Sequence, residues 1–179
     1  MNYYELRITD KMKTYNSQFV IRNSHFVSLH QTTKKEMFMK IIEKDGKRLV
    51  FDVIRRKYVA LTPEEQVRQY FVNYLISEKG FPKEMIANEV SIKLHNTSKR
   101  CDTVIYNADL TPLMIVEYKA PTIDITPMIF EQIVRYNMAL HAQYLIVSNG
   151  MKHICCQINY ESQQYVFLKE IPEYKEIKG

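Results

Sequence analysis

The chain has 179 residues, a net charge of +5 and an apolar fraction of 46%, with 4 Gly and 6 Pro. That suits one folded domain with its own core and excludes fibrous or disordered classes. No run approaches the roughly 20 apolar residues that cross a bilayer. The N-terminus MNYYELRITDKMK has no apolar signal core, so a soluble cytoplasmic protein with no membrane attachment is expected.

Residues 1–36 are polar and weakly patterned. Their apolar members (Phe19, Val20, Ile21, Phe26, Val27, Leu29) suit a short strand pair or an arm, and Met37 and Met39 would both serve as starts. The division expected is an N-terminal extension over 1–36, outside the core, a domain over 37–172 and a tail over 173–179. Phe38 to Glu43 reads as a strand, Asp45-Gly46 as a turn and Leu49 to Ile54 as the partner. Tyr58, Val59 and Leu61 lead into a helix start: Thr62 caps, Pro63 suits the first helical position and Glu65 would close a capping box. Val67, Tyr70, Phe71, Tyr74 and Leu75 follow at helical spacing, up to Gly80. After a short turn over Pro82 to Ile86, Glu89 to Leu94 and Arg100 to Tyr106 read as strands. Leu113 to Lys119 holds an unbroken apolar run, which marks a central strand covered on both faces. Thr126-Pro127 opens a helix over about 127–141. Tyr144 to Val147 is a buried strand of the parallel kind, and Ile154 to Ile158 pairs with Tyr165 to Leu168. This order predicts an α/β fold, a mixed sheet with a helix on each side.

The chemistry gathers on one hairpin. Residues equidistant from a hairpin turn sit opposite each other. Asp102 and Glu117 are equidistant from the Asp109–Leu110 midpoint, and Lys119 follows Glu117 on the same face. Two close carboxylates resist joint ionisation, and a hard divalent ion such as Mg2+ would compensate them. Such an ion supports in-line hydrolysis of a phosphodiester, with Lys119 orienting the water or stabilising charge. The bland alternative is a structural Asp102–Lys119 ion pair with Glu117 solvated.

Other residues carry weaker signals. Arg100, Lys99, Lys93, Lys152, Arg135 and the run Arg55-Arg56-Lys57 are candidate phosphate contacts. The 5 His have no metal-ligand spacing, and Ser148 and the 3 Cys have no evident base partner. Cys155 and Cys156 are adjacent, so buried thiols are expected rather than a disulfide. No GxxxxGKS/T or GxGxxG run occurs, so no nucleotide cofactor is expected.

Asp102 and then Glu117-Tyr118-Lys119 after an apolar strand resemble the PD-(D/E)xK nuclease motif. Gln132 and Tyr136, four apart on the next helix, are similar to the QxxxY motif of the RecB-like branch. Residues from about 38 to 172 resemble the N-terminal nuclease domain of type I restriction enzyme R subunits. The stretch from Phe51 to Glu65 looks characteristic of small stand-alone relatives. The family's Pro-Asp is Cys101-Asp102 here. The resemblance implies a restriction-endonuclease-like mixed β-sheet flanked by helices. It also implies metal-dependent cleavage of DNA through catalytic Asp102, Glu117 and Lys119, with Mg2+ (or Mn2+ as a substitute) on Asp102, Glu117 and Glu65. Gln132, Tyr136, Arg100 and Arg135 would support the site or bind DNA. Restriction-system subunits or a second copy in a homodimer are the implied partners. The alternative is a non-catalytic nucleic-acid-binding or partner-docking module that keeps the nuclease fold.

Overall fold

A computed structural model describes residues 21–22, 39–94, 97–162 and 164–178. Of the segment 1–36, only Ile21–Arg22 fall among the described residues. These form strand β1 and pair antiparallel with β9 (Lys152–Asn159). The strand pair or arm expected from Phe19, Val20, Phe26, Val27 and Leu29 otherwise lies outside the described residues, as do Met37, Phe38 and the turn at 95–96.

Strands β2 (Ile41–Lys44), β3 (Lys47–Asp52) and β4 (Lys57–Ala60) form a small antiparallel sheet. Asp45 and Gly46 take φ of 52° and 70° at its first turn, the left-handed pair that suits a tight hairpin. The sequence pattern over Tyr58 to Leu61 suggests only a lead-in to the helix, whereas Lys57–Ala60 is a strand. Its pairing with β3 from Leu49↔Ala60 to Asp52↔Lys57 is what closes this sheet. Helix α1 (Pro63–Ser77) starts where expected, with Thr62 Oγ1 accepting from the Glu65 amide at 3.1 Å. The expected capping box is only half formed. The Thr62 amide donates to the Ala60 carbonyl and the Glu65 carboxylate turns inward to guanidiniums.

The main sheet runs β1-β9-β8-β7-β6-β5, with β10 (Gln164–Leu168) also on β9. β5 (Ile86–Leu94), β6 (Thr97–Tyr106) and β7 (Pro112–Tyr118) form an antiparallel meander, and β8 (Tyr144–Ser148) is parallel to β7. The parallel step is made by helix α2 (Pro127–Leu140), capped by Thr126. A short helix α3 (Tyr174–Ile177), which had no signal in the sequence, ends the described chain. β7 is central and its residues Leu113 to Tyr118 are all buried. One face packs Met114, Val116 and Tyr118 with Val67, Phe71 and Leu75 of α1. The other packs Ile115, Leu145 and Val147 with Phe130, Ile133 and Val134 of α2. The architecture is therefore a mixed α/β fold whose large sheet carries one long helix on each side.

Cys101, Cys155 and Cys156 are buried free thiols, as expected. No helix among the described residues is long and apolar enough to cross a membrane.

Candidate active site

The β6–β7 hairpin has the register read from its turn: Thr103↔Val116, Val104↔Ile115 and Ile105↔Met114. A bulge between Ile105 and Tyr106 does not disturb it further along. Continued by one step, this register sets Asp102 beside Glu117. The ladder of paired residues ends at Thr103, and the Asp102 side chain takes over from the backbone: its Oδ2 accepts from the Tyr118 amide at 2.9 Å. Its Oδ1 accepts from Arg68 Nη2 of α1 at 2.8 Å.

Glu117 faces the α2 side and is 4% exposed. Lys119 Nζ and Gln132 Nε2 both donate to its Oε1 at 2.6 Å. Gln132 also donates to Tyr136 Oη at 2.9 Å and accepts from Lys119 Nζ at 3.4 Å. The two helix residues four apart thus reach the same carboxylate and amine, as their shared helix face requires. Arg135 is exposed on α2 and makes no contact with this group among the described residues. Arg100 is 68% exposed and pairs with Glu89, at the margin of the site rather than inside it.

Electrostatics mark Glu117 as the group under tension. Burial first, and the neighbouring Asp102 charge second, push its carboxyl up to about 7 despite Lys119. Burial alone would lower Lys119, but the hydrogen bond and charge of Glu117, with Glu64 and Asp102 behind them, carry it above its ordinary value. Glu64 is raised as well, by burial and then by Asp102, and it also senses Lys119.

Glu64 thus feels both Asp102 and Lys119, and the sequence did not single it out. The acid assigned to the metal was Glu65, one position on, and the structure commits that carboxylate elsewhere. Glu65 Oε1 accepts from Arg55 Nη2 and Gln69 Nε2, both at 2.8 Å, and Oε2 accepts from Arg68 Nη1 at 2.9 Å. The signal was present in the sequence, because Arg68 and Gln69 lie three and four residues after Glu65, where a helix brings partners together. The adjoining Asp52 is fully buried on Arg55, with Asn88 Nδ2 on its Oδ2 at 3.1 Å. Arg55, named as a candidate phosphate contact, is instead spent on these acids.

Ser148 has a base partner after all. Its Oγ lies 2.8 Å from His153 Nδ1 and accepts from the Gly150 amide at 3.0 Å. The pair is 0% and 1% exposed, and burial pulls the imidazole down to about 4. A neutral, enclosed imidazole bonded to a hydroxyl with no access to substrate is a packing element.

The donors fit a hard divalent ion in chemistry. They are carboxylate oxygens, and both hydrogen bonds to Glu117 fall on one oxygen. Among the described residues no three His, Cys, Asp or Glu side chains form a ready cation cage. Mg2+ commonly keeps waters and takes one or two carboxylates plus phosphate oxygens, so two such ligands match its habits.

No curated protein matches the sequence. A solved fragment assigned to an HsdR subunit of a type I restriction enzyme from Vibrio vulnificus YJ016 is similar at 19% identity. Its TM-score is 0.48, over 64% of this chain and 24% of that one, so the chain spans about a quarter of that protein fragment. The family model for the type I restriction enzyme R protein N terminus matches residues 63–172, the span from α1 through β10, and the chain belongs to that family.

Proposed function

We propose that the chain hydrolyses phosphodiester bonds of DNA with Mg2+, or Mn2+ in its place, held by Asp102 and Glu117, with Glu64 completing the acidic side. The observation that carries this reading is the buried Glu117 carboxylate, one register step beyond Thr103↔Val116 and so beside Asp102, with Lys119 and Gln132 on its Oε1 at 2.6 Å. A bound divalent ion would lower the pKa of a water and offset charge on the scissile phosphate. The chain's own part is positional. Asp102 and Glu117 hold their oxygens on neighbouring strands. Lys119 keeps a proton on Nζ at the mouth of the site, where it can donate to a phosphate oxygen or orient the attacking water. Gln132 fixes Glu117 and Lys119 relative to each other, and Tyr136 fixes Gln132. Arg100 and Arg135, both exposed, supply phosphate contacts at the margin. DNA, restriction-system subunits or a second copy of the chain are the partners this reading assigns, and the cytoplasm the compartment.

The second reading is a nuclease fold retained for binding nucleic acid or a partner without turnover. Incubation with supercoiled and linear DNA separates the two. The nuclease reading expects cutting that depends on Mg2+ or Mn2+, stops with chelator, and falls at least about a hundredfold in Asp102→Ala, Glu117→Ala and Lys119→Ala. Cleavage indifferent to chelator, or full activity in any of the three variants, sinks it. Retained DNA binding without turnover in the wild type establishes the alternative.

A further inference from the structure

Asp102 sits where β6 exchanges its faces. Residues two apart on a strand share a face, yet Cys101 packs in the cluster under α2, whereas Thr103 turns the other way. Thr103 pairs with Val116 of the α1-side cluster, and its hydroxyl donates to Asn88 at 2.7 Å. The β5–β6 register runs Asn88↔Thr103 and then Val90↔Cys101, skipping Glu89 and Asp102. Glu89 has φ of +61°, left-handed backbone that a side-chain-bearing residue keeps only where its surroundings hold it there. Three guanidiniums surround its carboxylate: Arg68, Arg100 and, at 3.9 Å, Arg55.

Arg68 is the member of this group that reaches Asp102. It is 3% exposed, and its Nη1 serves Glu89 and Glu65 while its Nη2 serves Asp102. A planar fork with its other arm pinned to two acids fixes where Nη2 points, which a lysine ammonium cannot reproduce. The Asp102 carboxylate has about four acceptor positions, and Arg68 and the Tyr118 amide occupy two, which leaves capacity for an ion. We propose that Arg68, pinned by Glu65 and Glu89, is a positioning residue that sets the Asp102 carboxylate for metal binding, with the Glu89 kink turning Asp102 into its reach. This rests on the metal-dependent reading above.

The test uses the full chain, its Arg68→Lys variant and its Glu89→Gln variant. Three quantities are compared: hydrogen exchange of the Tyr118 amide, Mn2+ affinity by calorimetry, and melting temperature. Arg68→Lys should speed Tyr118 exchange at least about tenfold with Val116 unchanged. It should also weaken Mn2+ binding about 10- to 100-fold, the usual loss when the partner of a metal ligand is removed. Glu89→Gln, whose side chain is 17% exposed, should move both in the same direction by less, and it carries the test where Arg68→Lys does not fold. A lower melting temperature with Tyr118 exchange and Mn2+ affinity unchanged overturns the proposal, as does a lysine that fully replaces the arginine. A wild type that binds no Mn2+ removes the underlying metal reading instead, and the Tyr118 amide still reports whether Arg68 holds Asp102.

Discussion

On the α1 side of the sheet, Asp52, Glu65 and Glu89 share the guanidiniums of Arg55, Arg68 and Arg100. On the α2 side, Glu117 has one amine and one amide. The acids of both groups are largely buried, so dehydration penalises their ionised forms. In the first, hydrogen bonds from Arg55 and Asn88 hold the Asp52 carboxyl below its ordinary value in spite of burial. In the second, burial and Asp102 win over Lys119 and the Glu117 carboxyl rises. The contrast is between acids that share three guanidiniums and an acid with a single amine beside a second carboxylate; on the nuclease reading proposed above, the second is where a further cation would bind.

The largest expected effect comes from breaking the α1 side. Arg55→Met strands Asp52 and Glu65 without their shared partner, and loss of one member of a buried ion group costs about 3–5 kcal/mol. Urea unfolding would measure it, and a cost below about 1 kcal/mol would dissolve the distinction between the two sides.

Acidity sharpens the comparison next. A carboxyl raised from 4.5 to about 7 holds its proton in the folded chain after the unfolded chain has released it. The metal-free protein should therefore lose stability as pH rises from about 4.5 through 7. His153 works in the opposite direction. Lowered from 6.5 to about 4, it gives stability that is complete above about 6.5 and is lost as pH falls through 4, roughly 3 kcal/mol in all. Glu117→Gln should remove the decline toward neutral pH and leave the acid limb. His153→Gln should do the reverse. Thermal melts of both across pH 4–8 would test this, and parallel profiles for the two variants would refute it.

The smallest effect expected is at the rim of the α2 side. Tyr136→Phe removes one hydrogen bond to Gln132, worth about 1 kcal/mol. DNA cleavage should slow by roughly fivefold, with the melting temperature lowered by no more than about 4 °C. A loss as large as that of Lys119→Ala would give Tyr136 a direct role in the reaction.

Much of this was legible beforehand, for reasons that differ by residue. The register Thr103↔Val116, which sets Asp102 and Glu117 one step further along, follows from hairpin symmetry and survives the bulge near Tyr106 because the bulge lies toward the turn. The α2 residues follow from helix spacing and the Thr126-Pro127 start. Glu64 against Glu65 is harder, since one residue turns a helix side chain by about 100°; the local partners Arg68 and Gln69 favour sequestering Glu65, and the non-local Arg55 completes it. The reversal of β6 at Asp102 had no local sign at all. Nothing in a glutamate announces left-handed backbone, and the guanidiniums around Glu89 come from three other segments, the β3–β4 turn, α1 and β6.

The crossover helix also fixes the order in which the centre can assemble. Because α2 is itself the link between β7 and β8, Asp102, Glu117, Lys119, Gln132 and Tyr136 leave the ribosome in one uninterrupted passage. Arg55, Glu64, Glu65, Arg68 and Glu89 have all emerged before it. The scaffold that receives Asp102 is thus made ahead of the group it receives: the bonds from Lys119 and Gln132 to Glu117 close over 2 and 15 residues, whereas the bond from Arg68 to Asp102 closes over 34.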